Sequence, residues 1–177
     1  MSPPQKSISL KRKDKKLITR ATYKNSIDIL EFINRVKDNF QDMYITENNA
    51  RLFLTDLQLI KKILKTQEVF YYENSGEIKG LLIILKEKKF RTYLKILTTD
   101  YNATNALMKF FVWNRNEIDI FCKLKATNPI ANVIRKFGFF VKGNRGKELL
   151  LEKKGFKTLN KIIPKDEYLT DETNRLY

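Results

Sequence analysis

The chain has 177 residues, 42% hydrophobic and 31% charged, the profile of one globular domain with a real core rather than of two. Its 35 Lys and Arg outweigh its 20 Asp and Glu, and the resulting net charge of +15 favours polyanionic partners such as nucleic acid or an acidic protein. With no histidine and a single cysteine, Cys122, the composition excludes serine–histidine and cysteine–histidine catalysis, an internal disulfide and a cysteine zinc site, so no metal is expected.

Residues 1 to 16 read as a basic flexible arm. Pro3-Pro4 opposes a helix, and Lys11, Arg12 and Lys13 form a like-charge cluster suited to phosphate contacts. The arm lacks the apolar segment of a secretory signal, and no apolar run approaches the ~18 to 20 residues of a membrane span. The expectation is a cytoplasmic protein with no membrane partner.

Leu17 to Tyr23 alternates as a first strand. Asn25 or Ser26 offers an N-cap to a helix carrying Ile27, Leu30, Ile33, Asn34 and Phe40, and the polar stretch Tyr44 to Arg51 reads as a loop. Thr55-Asp56 caps a second helix with Leu57, Ile60, Ile63 and Leu64 on one face. Three strands follow: Glu68 to Tyr72, the near-continuous apolar Glu77 to Lys86 after the turn Asn74-Ser75-Gly76, and Phe90 to Thr98. The third helix, Asp100 to Arg115, presents Ala106, Leu107, Phe110, Phe111 and Trp113 as an apolar face. Glu117 to Leu124 is a strand with Ile118, Ile120 and Cys122 inward, and Asn128-Pro129 starts a last helix that stops at Gly138. Phe139 to Gly143 and Glu148 to Lys153 form a hairpin around Asn144-Arg145-Gly146. The domain thus spans 17 to 153, and 154 to 177 is a polar tail.

This order, a three-strand meander followed by alternating elements, predicts a mixed α/β (α+β) domain whose mostly antiparallel sheet is flanked by helices and trailed by N- and C-terminal tails. At Thr127 to Lys153 (TNPIANVIRKFGFFVKGNRGKELLLEK) the sequence resembles the closing stretch of the GNAT N-acetyltransferases: an Asn-started helix, Gly-Phe at its end, then two strands. The upstream meander fits the same plan, so the resemblance covers about residues 17 to 153.

The resemblance implies a splayed strand pair with acetyl-coenzyme A in the splay, and transfer of its acyl group to an amine. The family holds the pyrophosphate on amides at a helix N-terminus, an anion site by geometry and dipole. The matching positions are Thr98, Thr99, Asp100, Asn102, Ala103, Thr104 and Asn105, with Asn128 matching the family's asparagine at the last helix. Tyr101, at the mouth of that site, is the candidate acid, and Glu73, on the meander, the candidate base.

Two departures stand out. The family's phosphate loop is glycine-rich, whereas this chain has no glycine between Gly80 and Gly138, and Asp100 equally serves as a helix N-cap. The family's acidic tyrosine in the last helix falls on Ile134 or Arg135, neither of which donates a proton.

The remaining charge gathers in two turns, with Lys88, Lys89 and Arg91 in one and Lys142, Arg145 and Lys147 in the other. With the N-terminal arm and the aromatics Phe90, Tyr93 and Tyr101, these suit single-stranded nucleic acid through phosphate contacts and stacking. Two functional readings therefore stand side by side: a divergent acyltransferase acting on or near nucleic acid, and a catalytically inactive protein of the same fold that binds nucleic acid or serves in assembly, as in a phage or virus.

Overall fold

The computed structural model describes residues 17–40, 43–47, 50–87, 91–115 and 118–155. The basic arm with Lys11, Arg12 and Lys13, the turn residues Lys88, Lys89 and Phe90, and the polar tail from 156 onward lie outside them.

The elements follow the order β1 (Leu17–Arg20), α1 (Ser26–Val36), β2 (Tyr44–Glu47), β3 (Ala50–Phe53), α2 (Leu57–Thr66), β4 (Glu68–Asn74), β5 (Glu77–Glu87), β6 (Arg91–Thr98), α3 (Tyr101–Asn114), β7 (Ile120–Lys125), α4 (Ala131–Arg135), β8 (Phe140–Arg145) and β9 (Glu148–Lys153). Seven strands form one sheet in the order β1-β4-β5-β6-β7-β9-β8, and β2-β3 is a separate hairpin. Every neighbouring pair of the large sheet is antiparallel except β6 and β7, which run parallel. This is the mixed, mostly antiparallel sheet that the element order predicts.

β5 is the sheet's centre because its apolar run has no polar face to turn to water: Leu81, Leu82, Ile83 and Ile84 are all buried. Gly80 at its start lets α3 approach. A Cβ there would lie 2.8 Å from Leu107 Cδ1 and 3.1 Å from the Thr98 methyl. Ala103, Leu107, Met108 and Phe111 fill the α3 contact, and Phe110 meets Phe70 of β4 at 5.0 Å between ring centres. Each fully buried side chain of this size contributes about 1.5–3 kcal/mol. On the opposite face α1 and α2 bury Ile29, Phe32, Ile33, Val36, Leu59, Ile60 and Ile63.

Several expected features move. Tyr44 to Arg51 is not a loop: its ends pair as the β2-β3 hairpin, with Tyr44 opposite Phe53 and Ile45 opposite Leu52. A polar sequence forms strands here because one side, Ile45 and Leu54, reaches the core. Ile33 and Phe40 are buried as expected and Leu30 is half-buried, but Ile29, Phe32 and Val36 fill the rest of the α1 stripe, leaving Ile27 and Asn34 in solvent. Trp113 is 80% exposed, since it lies two residues, about 200° of helix, from buried Phe111 and so on the outer side of α3. The first strand ends at Arg20, and β7 starts at Ile120, leaving Ile118 exposed. Asn128-Pro129 opens a turn rather than a helix, and α4 is only five residues. Gly138, at φ +86°, stops it in the left-handed conformation glycine tolerates. The closing hairpin extends through Arg145 to a tight turn at Gly146-Lys147. Among the described residues no helix is long and apolar enough to cross a membrane.

Replacing Gly80 by Ala should destabilise the domain by about 1–3 kcal/mol through overpacking against Leu107. A urea-unfolding midpoint equal to that of the parent chain would show that Leu107 swings aside at no cost.

Candidate functional site

The parallel pair at the centre of the sheet is short. Thr92, Tyr93 and Leu94 pair with Ile120, Phe121 and Cys122, and pairing then stops, although β6 runs on to Thr98 and β7 to Lys125. The next step of the same register would set Lys95 opposite Lys123. Like charges directly opposite each other disfavour strand pairing, and the sheet divides at the step where the two lysines would meet. β6 remains bonded to β5 through Thr98, and β7 to β9 along its whole length. The strands separate as two rigid halves. Beyond Leu94, no strand among the described residues pairs with the edge of β6 that faces away from β5.

A cavity of about 600 Å³ lies on this division, on the sheet face opposite α3. Its floor is Leu85, Tyr93, Leu94 and Lys95 on one side and Lys123, Leu124 and Lys125 on the other. The β2-β3 hairpin roofs it with Tyr44, Ile45, Thr46 and Arg51, while Arg91, Asn144, Arg145 and Glu148 complete the wall. Tyr44 donates its hydroxyl to Glu148 Oε1 at 2.5 Å, and Arg51 approaches the same oxygen at 3.5 Å, which ties the roof to β9. The cations rest on rings: Lys123 Nζ is 4.5 Å from the centre of Tyr93, Arg51 is 4.7 Å from Tyr44, and Lys95 is 5.7 Å from Tyr44. Such contacts are each worth about 0.5–1 kcal/mol at exposed sites and favour these side-chain positions. Lys95 is only 7% exposed.

Below the wall, Glu152 is a buried carboxylate accepting from Lys142 and Lys154, both at 2.9 Å. Burial pushes its carboxyl up, but the two donated hydrogen bonds and the charges behind them outweigh this and hold it below the ordinary carboxylate range. Lys142 also lies 4.9 Å from the Phe121 ring, and Tyr93 and Phe121 pack at 5.5 Å.

On the other face, the turn expected to hold a pyrophosphate is closed on itself. Asp100 is the N-cap of α3, and its Oδ1 accepts from the Ala103 amide at 2.8 Å. The Asp100 carbonyl takes the Thr104 amide at 3.2 Å and the Thr104 hydroxyl at 3.1 Å. Thr104 and Thr98 share a buried hydroxyl contact of 2.7 Å, and the Thr99 hydroxyl donates to Asp100 Oδ2 at 3.0 Å. A carboxylate thus occupies the first-turn amide that a phosphate would use, and its charge repels one. The residues at this helix end do not fit a pyrophosphate. Asn102 is exposed and Asn105 half-buried, without a role in the cap. Asn128 is buried and stitches its own turn, accepting from the Ile130 amide at 3.0 Å and donating its backbone amide to Lys125 at 2.9 Å.

Of the residues singled out in the sequence, the cavity gathers Arg91 and Arg145, with Lys142 beside Phe121 and Lys147 in the hairpin turn. Tyr101 and Glu73 do not line it. Tyr101 sits exposed at the start of α3, 5.7 Å from Lys136 Nζ, and Glu73 lies beside a bulge in β4. Tyr93, expected as a stacking surface, is 7% exposed and lies in the cavity floor with Lys123 over its ring. Ile134 is fully buried and Arg135 exposed, so the last helix supplies no acid. Sequence reading missed Tyr44, Arg51, Lys95, Lys123, Lys125 and Glu148. The signal was present in TYLKILT, where one lysine interrupts a largely apolar strand, and in IFCKLK, where two lysines stand two residues apart and so share a face.

The architecture, a strand meander, a parallel pair that divides, and a closing hairpin, defines a mixed α/β domain. Solved structures of GNAT-family acetyltransferases share its fold. A GNAT-family acetyltransferase from Bacillus cereus superposes with a TM-score of 0.61 at 16% identity, covering 80% of this chain and 98% of that one. One from Streptococcus pneumoniae gives 0.60 at 17% identity, covering 78% and 98%. A protein from Salmonella typhimurium solved with its cofactor acetyl-CoA gives 0.60 at 11% identity, covering 78% and 93%. No family model matches the sequence, and neither does any curated protein. The chain therefore has the GNAT fold in a divergent form, and at these identities the likeness is one of fold.

Two outcomes test this geometry. Lys123→Leu removes the like-charge opposition and should let β6 and β7 pair further, slowing exchange of the amides around Ile96 by up to about fivefold for a pair worth ~1 kcal/mol; unchanged exchange would mean that helix packing alone divides the sheet. Because the Glu152 carboxyl is held low in the folded state, its stabilisation is complete above the ordinary value of 4.5 and drains away as pH falls below it. Glu152→Gln should cost about 1–3 kcal/mol at neutral pH and flatten the acid side of a stability–pH curve measured by urea unfolding.

Proposed function

We propose that this chain is an N-acyltransferase that moves an acyl group from a pantetheine thioester, such as acetyl-coenzyme A, to an amine bound in the cavity. The observation that carries the reading is the divided β6-β7 pair with the cavity beside it. The edge of β6 from Lys95 to Thr98 offers backbone groups to an extended, amide-bearing arm, as a sheet edge does to a strand. The bound thioester supplies an activated carbonyl. The β6 edge orients it and offers backbone N–H groups to the oxygen that gains charge as the amine attacks; as the carbonyl re-forms, the C–S bond breaks and the pantetheine leaves as its thiol, taking up one proton in place of the one the amine gives up. The likeness in fold to acetyltransferases, and to a neighbour solved with acetyl-CoA, supports this reading.

The amine must attack as its free base, and the chain has no histidine to deprotonate it. Lys95, Lys123 and Lys125 on the cavity floor meet this need by charge. Nearby cations disfavour the ammonium form and lower the pKa of an incoming amine. Glu148, on the opposite wall and bonded to Tyr44, is the group placed to take the released proton.

A second reading rests on Asp100: with the helix end closed to phosphate, the same fold serves as an inactive protein holding nucleic acid or another anionic partner on its basic wall. The two readings separate in one titration. As the nucleotide end finds no helix-terminus site, S-acetyl-pantetheine should bind within about threefold of acetyl-coenzyme A, well under the 1.4 kcal/mol that a tenfold preference represents. Calorimetry that detects neither compound would sink the acyltransferase in favour of the second reading.

A further inference from the structure

The cavity wall is strongly one-sided in charge. Arg51, Arg91 and Arg145 arrive from β3, β6 and β8, and Lys95, Lys123 and Lys125 from the two dividing strands. Among the described residues lining it, Glu148 is the one carboxylate, and Arg51 already leans on it. Resting on the acyl-transfer reading, we propose that the acceptor is a small amine carried on a phosphate-bearing body of about nucleotide size, held by its phosphate while its amino group faces the divided strands.

Three observations fix this class. The first is charge: a wall of six cations repels polyamines and other purely cationic acceptors, whereas a phosphate-bearing amine is drawn in by the charge that keeps its amino group neutral. The second is the donor set. Three guanidinium forks from separate strands match tetrahedral oxyanions, which arginine grips in pairs of hydrogen bonds. Two of them reach aromatic faces, Arg51 on Tyr44 and Arg91 within 5.8 Å of Phe121, so the site is arranged before its ligand arrives. The third is shape. A cavity of about 600 Å³ under a hairpin roof suits a compact ligand, within the ~300–1,000 Å³ of small-molecule sites. Single-stranded nucleic acid needs exposed rings on which successive bases stack. Here the lining rings are Tyr93, 7% exposed with Lys123 over it, and half-buried Tyr44 with Arg51 and Lys95 over it, so the cavity provides no open row of rings.

The test is calorimetric binding without any acyl donor, using inorganic pyrophosphate, phosphoethanolamine, ethanolamine, spermidine and a single-stranded oligonucleotide as probes. Pyrophosphate and phosphoethanolamine should bind one per chain in mutual competition, and ethanolamine and spermidine should not bind. Arg91 and Arg145 are exposed and lie outside the strand division, so R91Q and R145Q should keep the parent melting temperature. Each should weaken phosphoethanolamine by at least about tenfold, the scale of a lost charge-assisted contact. Phosphoethanolamine binding no better than ethanolamine, or equally well to the variants, overturns the proposal, as does an oligonucleotide that displaces pyrophosphate and whose affinity exceeds that of both small probes. The donor-free format keeps the two claims apart. Binding of phosphoethanolamine with no transfer from S-acetyl-pantetheine preserves the ligand class and removes the acyl transfer. Transfer to other amines without phosphoethanolamine binding does the reverse.

Discussion

The division of the sheet between Leu94 and Lys95 on one strand, and between Cys122 and Lys123 on the other, is the constraint on which the rest of this molecule hangs. Up to that point the parallel pair is apolar and aromatic and closes normally. Beyond it, two lysines would face each other across a gap of one strand spacing, and the pairing ends. β6 follows β5 and β7 follows β9, so the molecule opens as two stiff halves rather than as a loose seam. The cavity, its basic floor and the offered edge of β6 are consequences of that separation.

The two faces of the divided sheet have opposite characters. On the α3 face everything is closed: Gly80 brings the helix against β5, Thr98 and Thr104 share a buried hydroxyl contact, and Asp100 caps the helix with its own carboxylate. A cap of this kind is worth about 1 kcal/mol to the helix, and it uses the amide and the dipole that would otherwise attract an anion. On the other face, cations are held on rings and around a single wall carboxylate. The cationic groups lie on side chains lining a cavity, while the backbone amide at the helix terminus is taken by the Asp100 cap.

Side-chain cations behave differently from amides. They are longer, adapt to a ligand's shape, and carry full charges, so their field also acts on any amine brought near. In a chain without histidine, the proposed acyl transfer would use this field in place of a strong base. Glu152 underlies the arrangement: by accepting from Lys142 and Lys154 it anchors the closing hairpin whose far end supplies Arg145 and Glu148 to the cavity.

The sequence by itself determined the sheet and its helices, because periodicity in Glu77 to Lys86, the turn at Asn74 to Gly76, the cap at Asp56 and the stop at Gly138 are local signals that tertiary packing left in place. It also marked Asp100 as a cap and Ile134 as unable to donate a proton. It did not show the β2-β3 hairpin, whose polar strands gain their reason to pair only from the core beneath Ile45 and Leu54. Nor did it show that lysines nearly thirty residues apart in the chain would meet: Lys95 and Lys123 are each unremarkable in their own strand, and their opposition exists only once β6 and β7 lie side by side. Local chemistry is written along the chain, but the placing of like charges across a parallel pair is a property of register, and register is decided by the folded sheet.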